Sequence, residues 1–217
     1  PLPPPAACRA ALVARRTGAR RRARRCPRAG PARTHQPGAI ARSRLAANFG
    51  DLQQALDLVD QAIKLEPERA DLLAWSGRLA VNLGDQVLAL SRYQQAWEIE
   101  PQDEKIAMVY AELLKRNGEL KTAQQVLAQL PDTPDMRFTR IIFAMDAGDT
   151  ASAESLYAGF YNVQYDDKSE AAFQAAQSAE LLQRQREAID WYKQVVGEKS
   201  IRALLRQAFL LAGLGDV

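Results

Sequence analysis

Between residues 39 and 217 the chain has no cysteine and no histidine. Their absence excludes a disulfide, a Cys/His zinc site and any histidine-based catalytic group from those residues. Nowhere does an apolar run approach the roughly 20 residues a helix needs to span a bilayer. The first residues show neither a Met nor the basic-then-apolar pattern of a signal peptide. Both cysteines, Cys8 and Cys26, and the single histidine, His35, fall in residues 1–38. That stretch lacks other things: it holds ten Arg and seven Pro but no Asp, Glu, Lys or aromatic residue.

The net charge of +3 is therefore an average over two unlike parts. Residues 1–38 carry about +10, whereas residues 39–217 hold 19 Lys and Arg against 26 Asp and Glu, a net of −7. The Arg/Pro-rich head admits three readings. Clustered Arg neutralises phosphates, as a nucleic-acid-binding arm would; the missing aromatics and the acidic body oppose this. A Pro/Arg-rich tail is expected to be disordered. An alphabet of Arg, Pro, Ala and Gly is also what GC-rich DNA yields when translated out of frame. With one choice of codons, the shifted frame of Arg16-Thr17-Gly18-Ala19 reads Asp-Trp-Arg. Its Asp would stand 34 residues before Asp51.

What the body has is self-similarity. NFGDLQQALDLVDQAIKLEP at 48–67 returns as NLGDQVLALSRYQQAWEIEP at 82–101. Gly50, Gly84 and Gly118 are 34 residues apart, as are Ala55, Ala89 and Ala123, Ala62 and Ala96, and Pro67 and Pro101. A fixed period of this length marks a stack of repeated supersecondary units. Each unit reads as two helices. In residues 70–101, Leu72, Leu73, Gly77, Ala80, Val81 and Leu83 recur at helical spacing and Gly84 ends this helix A in a left-handed conformation. Asp85 is placed to cap helix B. Val87, Leu90, Tyr93, Ala96 and Trp97 form the apolar face of helix B, and Pro101 stops it.

These residues resemble the tetratricopeptide repeat. That family carries a small residue at position 8, Gly at 15, Ala at 20, an aromatic at 24, Ala at 27 and Pro at 32. Gly77, Gly84, Ala89, Tyr93, Ala96 and Pro101 match all six. The first unit matches at Ser43, Gly50, Ala55, Ala62 and Pro67, and the third at Ala111, Gly118 and Ala123 before ending early at PDTPD. Gly148, Ala153 and Tyr157 mark a fourth unit. Ala176, Ala188 and Tyr192 mark a fifth, with Gln183 in place of the glycine. The expected divisions are a head of 1–38 and a body of 39–217. The units fall at 36–69, 70–103, 104–133, 134–165, 166–198 and an incomplete 199–217. A sixth helix A without its helix B would leave an apolar face uncovered, as in a piece of a longer repeat protein.

The resemblance implies an all-α fold, a right-handed α-solenoid of antiparallel helix pairs whose concave groove binds a peptide or protein. It implies no catalytic residue, no cofactor, no metal and no small-molecule substrate. Groove-facing positions of helix A give Arg44, Asn48, Trp75, Arg78, Asn82, Met108, Glu112, Lys115 and Arg116. An Arg/Asn ladder of this kind suits an extended peptide, Asn pairing with backbone amides and Arg with a carboxylate. The alternative for each is a solvated helix face. LYAGFYNVQYDD at 156–167 reads as packing between irregular repeats more readily than as a binding hot spot. Asp166-Asp167 lacks the further oxygen ligands of a calcium loop.

Residues 166–217 also resemble Gram-negative bacterial repeat lipoproteins that anchor at the outer membrane. Those bring periplasmic proteases to cell-wall hydrolases. That likeness implies a non-catalytic scaffold, with periplasm or outer membrane favoured over cytoplasm and membrane attachment only through an upstream lipid anchor. The other classes are the repeat portion of a larger enzyme, and nucleic-acid binding through the Arg-rich head.

Overall fold

The computed structural model describes residues 37–215. The proposals made for residues 1–36, including Cys8, Cys26 and His35, lie outside the described residues. Among the described residues there are eleven α-helices, one 3-10 turn and no strand. In chain order the helices are α1 (Pro37–Asn48), α2 (Leu52–Leu65), α3 (Ala70–Leu83), α4 (Gln86–Ile99), α5 (Glu104–Arg116), α6 (Leu120–Ala128), α7 (Pro134–Asp146), α8 (Thr150–Asn162), α9 (Lys168–Leu181), α10 (Gln185–Tyr192) and α11 (Ser200–Leu214). Odd-numbered helices are the A members of successive pairs and even-numbered ones the B members.

The turn inside a pair follows from two adjacent residues, as the second pair shows. At Gly84 the backbone takes φ 81°, and the N–H of Asp85 reaches the Ala80 carbonyl at 2.9 Å. A left-handed residue there costs a glycine nothing. Asp85 then accepts from the Leu88 N–H at 3.0 Å, and Asp51 and Asp149 do the same for α2 and α8. Glu119 stands at the equivalent place before α6 but makes no capping bond. Its longer side chain instead accepts from Asn117 Nδ2 at 2.7 Å.

Close approach of the helices depends on the small residues. Ala55, Ala89, Ala123, Ala153 and Ala188, one from each B helix, are fully buried. At Gly77 a methyl group would lie 2.7 Å from the Tyr93 ring, so the α3–α4 contact is closed to any side chain there. The apolar face expected for α4 needs one correction. Ala89, Tyr93 and Ala96 are buried, but Val87, on the first turn of α4, is 82 % exposed.

Two apolar clusters run along the stack. One extends from α1 to α7 and the other from α7 to α11, with Met136 and Phe143 in the first and Ile141 and Ala144 in the second. Helix α7 therefore serves both, and it also repairs the short third unit. Helix α6 ends at Ala128, and the Arg140 guanidinium takes up the carbonyls of Leu127 and Leu130 at 2.9 and 2.6 Å. The aromatic stretch after Leu156 is packing, as read from the sequence: Tyr157 and Phe160 are buried and only Tyr161 is largely exposed. Asp167 caps α9 by accepting from the Glu170 N–H.

Candidate functional site

Helices α1, α3 and α5 lie side by side, and their shared face carries a pocket of about 480 Å³. Arg44 comes from α1, Trp75 and Arg78 from α3, and Lys105 and Val109 from α5. The 34-residue period is what puts them together, since Arg44 and Arg78 each stand six residues before the turn glycine of their unit. Trp75 is half-buried and fixed from below: its indole N–H donates to Ser43 Oγ at 2.8 Å. Both guanidinium groups stack on its ring, Arg78 at 4.4 Å and Arg44 at 5.9 Å from the centroid. An aromatic face attracts a cation by its quadrupole, which orders two otherwise mobile side chains.

Neither Arg44 nor Arg78 has a carboxylate partner among the described residues, and both are exposed. Three carboxylates also line the pocket: Glu100, Asp103, which caps α5 by accepting from the Ile106 N–H, and Asp71, which is already taken. Its two oxygens accept from Arg69 at 2.9 and 2.5 Å, a bond that holds the Asp71 carboxyl below its ordinary range. Tyr93, also lining the pocket, is pushed up by burial and drawn partly back by the Arg78 charge.

The next step along the face differs. Met108, Glu112 and Arg116 of α5 line a separate pocket of about 400 Å³ with Val81, Leu113 and Phe143. Glu112 accepts from Arg116 at 3.2 Å and pairs with Lys115 at 3.2 Å, while Lys115 also reaches Asp146 at 3.1 Å. The hydrogen bond to Asp146 raises Lys115 above the ordinary lysine value. The charges at this step are thus spent on one another. Asn48 and Asn82 are exposed at the ends of α1 and α3 and line neither pocket. Lys105 and Val109 belong to the first pocket without having been singled out in the sequence. Their signal was the repeat register, which places them where Asp71 and Trp75 stand one unit earlier. No group of Asp, Glu, His or Cys suited to a metal ion occurs among the described residues.

Residues 87–140 match the family model of the tetratricopeptide repeat. That match, which runs from α4 into α7, marks those helices as tetratricopeptide repeats. No curated protein matches the chain. Several solved structures share the fold. MamA is 14 % identical with a TM-score of 0.53, over 76 % of this chain and 94 % of its own. YrrB, described as a TPR protein with an unusual peptide-binding site, is 16 % identical with a TM-score of 0.53, over 82 % of this chain and 91 % of its own. PilF of Pseudomonas aeruginosa is 19 % identical with a TM-score of 0.53, over 82 % of this chain and 84 % of its own. At such identities the likeness establishes the tetratricopeptide architecture and nothing of the ligand.

Proposed function

We propose that this tetratricopeptide repeat protein is a non-catalytic interaction scaffold that holds an extended peptide, or a peptide-like stretch of a protein, against its A helices. One observation carries the reading: two exposed arginines without carboxylate partners among the described residues, both stacked on the anchored Trp75 at the edge of a 480 Å³ pocket. Such a pair binds carboxylates in bidentate geometry, and the half-buried indole supplies apolar contact for the segment between them. The peptide-binding site described for the similarly folded YrrB supports the choice of ligand class. On this reading the body divides into the units 36–69 to 166–198 plus the partial 199–217, and Asn48 and Asn82 meet backbone amides of the bound segment.

The test is a peptide array probed with the full chain and with Trp75→Ala/Arg78→Ala and Arg78→Ala/Asn82→Ala variants. Loss of the bound spots in the first double variant supports the groove. Spots retained by both double variants at wild-type intensity overturn it. The envelope-adaptor role rests on the resemblance in residues 166–217 alone. Fractionation of cells expressing the full-length protein, with recovery only in the cytosol, would exclude it.

A further inference from the structure

The ladder of charged groove residues ends at α5, but the repeat register does not stop there. Each turn that follows an A helix from α7 onward has one residue with positive φ: Gly148, Gln183 and Gly215. Counting ten residues back from each gives Phe138, Phe173 and Leu205, the equivalents of Met108. Counting six back from Gln183 gives Gln177, the equivalent of Arg44 and Arg78. Phe138, Phe173, Gln177, Leu181, Arg202 and Arg206 line one pocket of about 520 Å³ across α7, α9 and α11. At these two register positions the first three units carry Ile40, Ala74 and Met108 with Arg44, Arg78 and Glu112, whereas the last three carry Phe138, Phe173 and Leu205 with Ile142, Gln177 and Phe209.

The charges around this pocket leave a single open valence. Glu180 is bound by the Tyr192 hydroxyl at 2.6 Å and paired with Arg206, so acid and base there cancel. Lys199 is paired with Glu170. Arg202 has no carboxylate partner among the described residues, and the Gln177 amide makes no hydrogen bond among them. The uncompensated charge at the pocket is therefore positive, beside an apolar floor formed by Phe138 and Phe173. The wider field has the same sign. The six A helices hold eleven Lys and Arg against seven Asp and Glu, a net of +4, in a body whose net is −7. The negative charge sits on the B helices and the connections.

We propose that this pocket is a second, chemically distinct peptide site, taking an aromatic or leucine side chain of an acidic segment with an adjacent Asp or Glu on Arg202. It rests on the reading of the A-helix face as a groove. The ring of the ligand packs on Phe173 and Phe138, the Gln177 amide meets its backbone, and the guanidinium of Arg202 takes the carboxylate. Cancellation of Glu180 by Tyr192 and Arg206 removes the repulsion an acidic ligand would otherwise meet.

Isotope-labelled full chain is titrated by NMR with three blocked hexapeptides: acetyl-Gly-Ser-Phe-Glu-Ser-Gly-amide, its Phe→Ala form and its Glu→Gln form. The parent peptide is expected to bind about fivefold tighter than either altered form, shifting the Gln177 and Arg202 amides. Arg202→Gln should erase the Glu/Gln difference and keep the Phe/Ala difference; Phe138→Ala should do the reverse. Equal binding of the three peptides, or an unchanged preference in Arg202→Gln, overturns the second site. Shifts confined to the Trp75 indole and its neighbours overturn it too, while leaving the first groove site standing. Shifts at Gln177 and Arg202 that survive Trp75→Ala/Arg78→Ala show the two sites to be separate.

Discussion

The indole N–H of Trp75 donates to Ser43 Oγ at 2.8 Å, and Ser43 in turn donates to the Ala55 carbonyl at 2.7 Å. This relay crosses from α3 through α1 to α2. Ser43 is fully buried, although hydroxyls are seldom found so deep without a partner. The small residue at this place in the first repeat is thus more than a spacer, since it sets the tilt of the one aromatic ring on which Arg44 and Arg78 stack.

Ser43→Ala removes the relay and leaves the indole N–H facing a methyl group. The expected cost is about 1 kcal/mol, that of a hydrogen bond lost by a half-buried donor, read as a lower midpoint in urea unfolding. Peptide binding should weaken as well, because Trp75 loses its fixed orientation. A variant with unchanged midpoint would mean that Ser43 Oγ does not hold Trp75 in solution.

Gly77 is the tightest helix contact in the second repeat. A methyl group on it would meet Tyr93 Cδ2 at 2.7 Å and Cε2 at 2.8 Å, and Tyr93 is 5 % exposed and cannot swing away. In a free helix Gly→Ala would gain about 1 kcal/mol. Here overpacking of about 1–3 kcal/mol opposes that gain, so Gly77→Ala should destabilise. In a Tyr93→Leu background the same substitution should be neutral or stabilising. A double-mutant cycle on thermal unfolding measures the coupling, and strict additivity would refute the contact.

Much of this architecture is legible in the sequence because the repeat states it several times. Gly84 with Asp85, and the alanines one from each B helix, predict turn, cap and close contact by their spacing alone. Features that depend on neighbours far along the chain do not show. Val87 has the right period for the core face yet lies in solvent, since periodicity gives the face of a helix and not how far the next helix covers it. Arg140 closing the end of α6 is invisible for the same reason, its acceptors being 10 and 13 residues away. The pocket around Phe173 is not marked by a ladder of charge, because the last three units keep the register while changing the residues at it.

Gln183 shows how far the register reaches. It has φ 61°, the one non-glycine residue with positive φ among the described residues, and its N–H bonds the Glu180 carbonyl at 3.0 Å while that of Arg184 bonds Ala179 at 2.8 Å. These are the bonds that Gly84 and Asp85 make in the second unit. A side chain in this region costs roughly 1–2 kcal/mol relative to glycine. Gln183→Gly should therefore stabilise the protein by about 1 kcal/mol without altering peptide binding. Calorimetry decides it, and a lower unfolding temperature would show that the glutamine side chain contributes a contact.

Tyr157 ties the fourth and fifth repeats through a chain of polar contacts: Trp191 Nε1 donates to its hydroxyl at 3.1 Å, and that hydroxyl donates to Glu187 at 2.8 Å. Tyr161 adds a second donor to the same carboxylate at 3.0 Å. Hydrogen bonding from Tyr157 favours the ionised form and holds Glu187 below its ordinary value of 4.5. A carboxyl whose folded pKa is depressed contributes stability that is full above the unfolded value and disappears as pH falls through the folded one. Unfolding temperature should thus begin to drop below pH 4.5, by an amount that Glu187→Gln reduces. The glutamine keeps an acceptor for Tyr157 and removes the titration, so it isolates the charge from the packing. A wild-type pH profile in this variant would assign the acid sensitivity to other carboxylates, such as Asp71 on Arg69.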